Sequence, residues 1–471
     1  MAITVEQVDE WRACESETQV LEFKEAKNQY DSEKLFSYCI AIANEGGGHL
    51  LLGIKNKAPR EVVGTAAVND PIGMADKVLQ KLAFRVEVDV VQHPHGRVVV
   101  LTIPSRPKGP PLHLEGRYLM RSGESLTAMT PDHLRKIIEE GKPDWLEEFS
   151  ELGPVDAEQV ISLLDTQLYF DRIGLPYPST RGDVIDRFCA ERLIQTSSRD
   201  KYLIKRLAAI LFAKKMDEFP DIQRKAPRLA VFEGTDRFSI KLNQVGGRGY
   251  ASGYQGLVKY IMAQLPQNEV IENTLRKKVS LVPEIVMREL VANALIHQDF
   301  TVSGASVMVE VYSDRIVISN PGVPVVRLER FIDGYRSRNE RLADLMRRMK
   351  ACEEQGLGID RVIQNVEVYQ LPAPEFRADD TRTIVTIFGP KSFHAMTRDD
   401  RVRACFQHCA LKYVMNERMT NESLRQRFKL HESQGATASQ IISQTVETGL
   451  IKTDPSVGGS KKFARYVPFW G

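Results

Sequence analysis

From Val282 to His297 the chain is apolar for about four helical turns, yet Glu289, Asn293 and His297 recur within it at every fourth position. That spacing projects all three from one helical face, while Leu290, Ala294 and Ile296 pack behind. Any fold of this chain must cover one side of that helix and keep the other for polar chemistry. A carboxylate and a carboxamide one turn apart can polarise a water and hold a Mg²⁺ that bridges phosphates. Downstream, Asn320-Pro321-Gly322 follows a strand, and Glu354-Gln355-Gly356-Leu357-Gly358-Ile359 opens a helix. Glycines at such junctions let backbone N–H groups approach a phosphate.

The remaining chain is long enough for more than this one site. Its 471 residues suggest roughly three domains. With 64 Lys+Arg against 62 Asp+Glu the net charge is +2, which excludes binding of polyanions through bulk charge. Any nucleic-acid surface must be local. No secretory signal and no apolar run of membrane-spanning length is present, so a cytoplasmic protein without membrane contact is expected. Six cysteines without a paired framework fit reduced thiols, and Cys405 and Cys409 read as core packing.

The last 74 residues carry twelve Lys+Arg and seven Asp+Glu, hence +5, so residues 1–397 carry −3. Their pattern is three helices (402–415, 421–428, 433–446) and a two-stranded ribbon, the layout of a winged helix-turn-helix. In the third helix Ala438, Ile441, Ile442, Thr445 and Val446 form a core stripe. Ser439, Gln440, Ser443 and Gln444 lie opposite and suit base edges of double-stranded DNA. Arg425, Arg427, Lys429, Lys461 and Lys462 suit phosphates. A winged helix used only for protein contacts is the alternative.

In their order and spacing, the segments around Asn293 resemble the GHKL-type ATP-binding fold, in the variant of RecG-like C-terminal ATPase domains. Asn293-Ala-x-x-His297-x-Asp299, Ser319-Asn320-Pro321-Gly322 and Gly356-x-Gly358-Ile359 carry the resemblance, which spans roughly residues 204–390. It implies ATP and Mg²⁺ as cofactors, with Asn293, His297, Asn320, Gly322, Gly356 and Gly358 around the nucleotide. Asn293 would hold the metal and Glu289 would act as base. Asn320 stands where the wider fold has an aspartate that accepts from the adenine amino group; an amide oxygen accepts without charge. There is no Walker motif, so a Walker-type helicase is not expected.

The N-terminal part, with Glu17-x4-Glu22-Phe23-Lys24, Asn44-Glu45-Gly46-Gly47-Gly48, Leu52-Gly53-Ile54 and Arg121-Ser122-Gly123, resembles the Schlafen AlbA-type domain over about residues 12–140. Some Schlafen relatives are RNA nucleases with three carboxylates around a metal. Glu17 and Glu22 keep the first spacing, but Lys55-Asn56-Lys57 occupies the place of the third acid. Lys55, Lys57 and Arg60 suit a phosphate backbone better.

The expected architecture is an α+β multidomain chain. An AlbA-type α/β module (1–142) and a mostly helical connector (143–250) precede a GHKL-like α/β sandwich (251–393) and a winged helix (398–471). The expected function is a DNA-binding regulator, transcriptional or defence-related, with a nucleotide switch and a homo-oligomeric state. The alternatives are a metal-dependent ribonuclease gated by the ATPase-like domain, with Glu61 or Asp70 supplying the missing ligand, and a non-catalytic scaffold.

Overall fold

A computed structural model describes residues 3–14, 18–57, 59–141, 144–334, 336–351, 358–455 and 464–471, without 273–274 and with the backbone alone over the rest of 267–280. The fold is α+β and multidomain, in two compact units, Met1–Pro143 and Asp144–Gly471.

In the first unit, β1 (Leu21–Lys24), β2 (Gly48–Leu52), β3 (Glu87–His93) and β4 (Gly96–Ile103) form a sheet in the order β1-β2-β4-β3. Only the β1–β2 pair is parallel. Strand alternation sorts its branched residues onto two faces. Leu50, Leu52, Val99 and Leu101 pack on the helix α1 (Ser32–Asn44), and Phe23, Leu51, Val98 and Val100 pack with Val8 on the other side. The turn after α1 needs Gly47, whose φ is +88° and whose Cβ position lies 2.7 Å from the Ser105 backbone nitrogen. Asn44 ties α1 to the strands that follow, donating to the carbonyls of Leu112 and Leu119 at 3.0 and 2.9 Å.

The second unit is built on a six-stranded sheet. Its strands are β5 (Arg228–Phe232), β6 (Ile240–Val245), β7 (Met308–Val311), β8 (Arg315–Pro321), β9 (Glu375–Ala378) and β10 (Arg382–Phe388), in the order β6-β5-β7-β8-β10-β9. The β5–β6 hairpin thus lies in the same sheet as strands beyond 308, so the sheet reaches across residue 250. Helices α2 (Tyr250–Gln264), α3 (Glu284–His297) and α4 (Gly358–Val368) share a core with Val309, Val311, Ile316 and Ile318 of one sheet face.

Helices α5 (Arg398–Val414), α6 (Asn421–Arg427) and α7 (Gly435–Glu447) follow, with Ile451–Thr453 paired antiparallel to Tyr466–Pro468. Cys405, Cys409, Leu424, Ile441, Ile442 and Ile451 form their core. Burial pushes the Cys405 thiol up to about 12, as an inert packing group requires.

Residues 156–168 hold two helices, because Asp156 and Asp165 each cap a separate one, Ala157–Leu163 and Thr166–Ile173. Residues 201–216 begin as a strand, Lys201–Ile204, which pairs with Ile194–Ser198 before the helix Arg206–Phe212 starts. A short apolar run reads either way, and here the cross-strand partner decides it. Val446 is 39% exposed and leaves the core stripe of α7.

Candidate functional site

Helix α3 packs against both β8 and α4, so its polar row faces the gap between sheet and helix. Glu289 is buried, and Asn293 and His297 are half-buried. Asn293, His297, Asn320 and Gly358 line one cavity of about 160 Å³, together with Thr383 and Ile359. Gly358 opens α4 directly against the acid–amide pair. A Cβ there would sit 2.9 Å from Glu289 Oε2 and 3.3 Å from Asn293 Nδ2, so a larger residue would push both side-chain ends aside.

The cavity floor comes from strand register. Asn320 pairs with Thr383 across β8 and β10, and both side chains point to the helical face. Asn320 lies within β8 rather than in a loop beyond it. Its Nδ2 donates to the Pro321 carbonyl at 3.3 Å, and Thr383 Oγ1 donates to the Gly322 carbonyl at 2.9 Å. Gly322 has φ +98° and passes so close to Asp299 that a Cβ would lie 2.6 Å from the aspartate Cβ. Asp299 in turn pairs with Arg338 at 2.8 Å, and Asn339 Nδ2 donates to the Ile296 and Gln298 carbonyls at 2.6 and 2.8 Å. That clamp fixes the C-terminal end of α3. Burial, and secondarily Arg338, holds the His297 imidazolium below its ordinary range, so the ring is neutral near pH 7. Burial, reinforced by Asp333, pushes Asp360 in the first turn of α4 up to about 6.

The donor set fits a nucleotide with Mg²⁺: an amide oxygen and a carboxylate beside the N-terminus of an 11-residue helix, with a glycine gap between them. Gly356, also expected here, lies outside the described residues. Thr383 was not singled out in the sequence, although the strand alternation of 382–388 carried the signal; Asp299 stands in the motif that opens at Asn293, but its pairing with Arg338 has no local signal.

At its far end α4 meets the C-terminal helices. Glu367 accepts from His408 Nδ1, 3.0 Å from each carboxylate oxygen, and lies 3.4 Å from Arg427 Nε. His408 Nε2 meets Ser423 Oγ at 3.1 Å, and Arg427 Nη2 donates to the Leu371 carbonyl at 2.8 Å. Arg427 is therefore a buried structural ion, which corrects its assignment to phosphate. Arg425 is half-buried and donates to Asn421, whose amide also reaches Ser439 Oγ at 2.9 Å. Lys429, Ser439, Gln440 and Ser443 are exposed, and Gln444 is half-buried. Lys461 and Lys462 lie outside the described residues.

In the first unit, Glu22 is fully buried and ion-paired with both Lys24 and the equally buried Arg121. Burial works against the Lys24 charge, yet the Glu22 carboxylate holds that ammonium above its ordinary value. Glu61 pairs with Lys55 at 2.6 Å, and Asp70 caps the helix Pro71–Leu82, so neither is placed as a partner of Glu22. Glu17 lies outside the described residues. No group of three His, Cys, Asp or Glu suited to a metal occurs among the described residues. Arg60 is buried, donates to the Cys14 carbonyl and covers the Phe23 ring, so it too is structural rather than a phosphate contact. Lys57 is exposed and Lys55 half-exposed.

Among the described residues no helix is long and apolar enough to cross a membrane.

Two family models match the chain: "Schlafen, AlbA_2" over residues 17–130 and "Putative ATP-dependent DNA helicase recG C-terminal" over residues 304–387. No curated protein matches it significantly. Among solved structures, the DIP2311 protein of Corynebacterium diphtheriae is similar at 16% identity and TM-score 0.44, covering 98% of this chain and 96% of its own. The N-terminal domain of a "Putative ATP-dependent DNA Helicase RecG-related Protein" from Nitrosomonas europaea is similar at 21% identity and TM-score 0.21, covering 26% of this chain and 92% of its own. The chain therefore carries a Schlafen AlbA_2 domain in residues 17–130 and a RecG-type C-terminal domain in residues 304–387.

Proposed function

We propose that the chain is a DNA-binding regulator switched by ATP. The observation that carries this reading is the convergence of Glu289 and Asn293 on Gly358 at the start of α4. The cavity over Asn320 and Thr383 has room for a nucleobase, which leaves the phosphates to the Gly358 end. Asn293 would hold Mg²⁺, which neutralises phosphate charge. Glu289 would take a proton from water at the γ-phosphate. The C-terminal helices and ribbon serve as a winged helix on duplex DNA, with Gln440 and Ser443 at base edges and Lys429 on phosphate. The network around Glu367 joins that module to α4, so the helix that opens at the nucleotide also braces the DNA reader. In the N-terminal domain, the buried Glu22–Arg121 pair favours nucleic-acid binding through Lys55 and Lys57, RNA included, over cutting.

Variants of the cleft test the assignment of roles. Glu289→Ala should remove ATP hydrolysis by about 10²-fold or more while sparing ATP affinity. Asn293→Ala should weaken both binding and turnover. Steady-state phosphate release beside equilibrium nucleotide binding separates the two. Equal losses in both quantities for Glu289→Ala would remove it from the role of base.

A further inference from the structure

The sheet that floors the nucleotide cleft has a second face. Register places Glu310, Val317, Thr386 and Glu375 in one row, and Met308, Ser319, Ile384 and Arg377 in the next. Alternation turns these rows away from Ile318, Asn320, Thr383 and Val385. All of them but Met308 line a separate cavity of about 330 Å³. Four arginines (237, 315, 377 and 382) stand in it against two glutamates (310 and 375), so the lining carries +2.

Those charges are unequally occupied. Arg237 pairs with Glu310 at 2.8 Å, and Arg377 pairs with Glu375 at 3.2 Å while remaining 59% exposed. Arg382 is exposed; its guanidinium feels the Asp379 carboxylate but makes no hydrogen bond or close ion pair among the described residues. Thr386 is 3% exposed, and its hydroxyl has no partner among them either. Beside these groups Phe232 and Tyr312 stack at 4.9 Å and 10°, and the Arg315 guanidinium lies 4.1 Å from the centre of the Tyr312 ring. The Arg315 guanidinium, held by Asp314 at 2.9 Å and by the Thr235 carbonyl at 3.0 Å, thus sets a cationic plane beside the stacked rings.

We propose that this face binds a single-stranded nucleic acid, with an unpaired base on the Arg315 plane and phosphates at Arg377 and Arg382. Guanidinium planes backed by aromatic rings take base faces, which a duplex hides within its own stack. Net positive charge alone would also suit an acidic peptide, but a stacking plane would then serve no purpose. The unpartnered Thr386 hydroxyl offers a hydrogen bond to a base edge or sugar. This site is independent of the nucleotide reading, since its residues point away from the cleft.

The test uses the full chain and labelled oligouridylate and oligothymidylate of about 12 nucleotides. Unlabelled duplex in excess occupies any duplex-binding module, and anisotropy reports the strand. Both strands should bind with duplex present. Arg377→Glu with Arg382→Glu should weaken that binding about tenfold or more and lower the salt slope by about 1.4. Arg315→Lys keeps the charge and loses the plane, so it should weaken binding with the salt slope unchanged. Unfolding midpoints equal to wild type confirm that the variants are folded, and Arg315→Lys alone decides if the double variant is not. Undiminished strand binding by Arg315→Lys, or displacement of the strand by polyglutamate as readily as by unlabelled strand, would overturn the proposal.

Discussion

Glu22→Ala should cost the N-terminal unit about 3–5 kcal/mol, because it removes a buried carboxylate paired with the buried Arg121 guanidinium. Glu22 and Arg121 are both fully buried, and Lys24 is the only other charge that Glu22 pairs with among the described residues. The Ala variant keeps the Arg121 charge and removes a buried carboxylate paired with it. Hydrogen exchange over Leu21–Lys24 and Gly48–Leu52 should therefore accelerate strongly, while α3 and α4 in the other unit keep wild-type protection. A carboxylate kept for a metal behaves in the opposite way, since its removal relieves local repulsion in the metal-free protein. Slower exchange in Glu22→Ala would restore the ribonuclease reading.

The second large effect is expected at Glu367. Glu367→Ala strands Arg427, which is 4% exposed, and should destabilise the contact between α4 and the C-terminal helices by about 3–5 kcal/mol. Glu367→Gln is the finer probe, because it keeps the volume and one acceptor oxygen. Helix α4 spans Gly358–Val368, so Glu367 lies about 14 Å along the axis from the cleft glycine. If α4 transmits nucleotide occupancy, wild-type duplex affinity should shift by about 5-fold or more on adding ATP and Mg²⁺, in the usual range of coupling. In Glu367→Gln that shift should collapse, while nucleotide and duplex each still bind. A full shift in the Gln variant would route the coupling elsewhere.

What the sequence disclosed follows from which forces are local. The apolar period of 284–297 fixed the face that carries Glu289, Asn293 and His297, because helical geometry alone decides it. Alternation over 315–321 likewise revealed strand β8, although the depth of Asn320 within it depended on pairing with β10. Arg60 and Arg427 were read as phosphate contacts because both are basic residues in polar segments. Their burial is decided by partners distant in the chain, the Cys14 carbonyl for one and Glu367 with Leu371 for the other. Cys405 and Cys409 do pack in a core, while the partners of His408 between them, Glu367 and Ser423, are again distant in the chain. The second sheet face escaped notice for the same reason. Its arginines come from four strands or loops, and only register gathers them.

Titration calorimetry of ATP with Mg²⁺ into the full chain, alone and saturated with duplex DNA, tests the central claim most directly. The account predicts one nucleotide site per chain, loss of its heat in Asn293→Ala, and a different nucleotide affinity when duplex is bound. No binding heat at millimolar ATP with Mg²⁺, with or without duplex, would contradict it and leave the cleft around Gly358 as a structural scaffold.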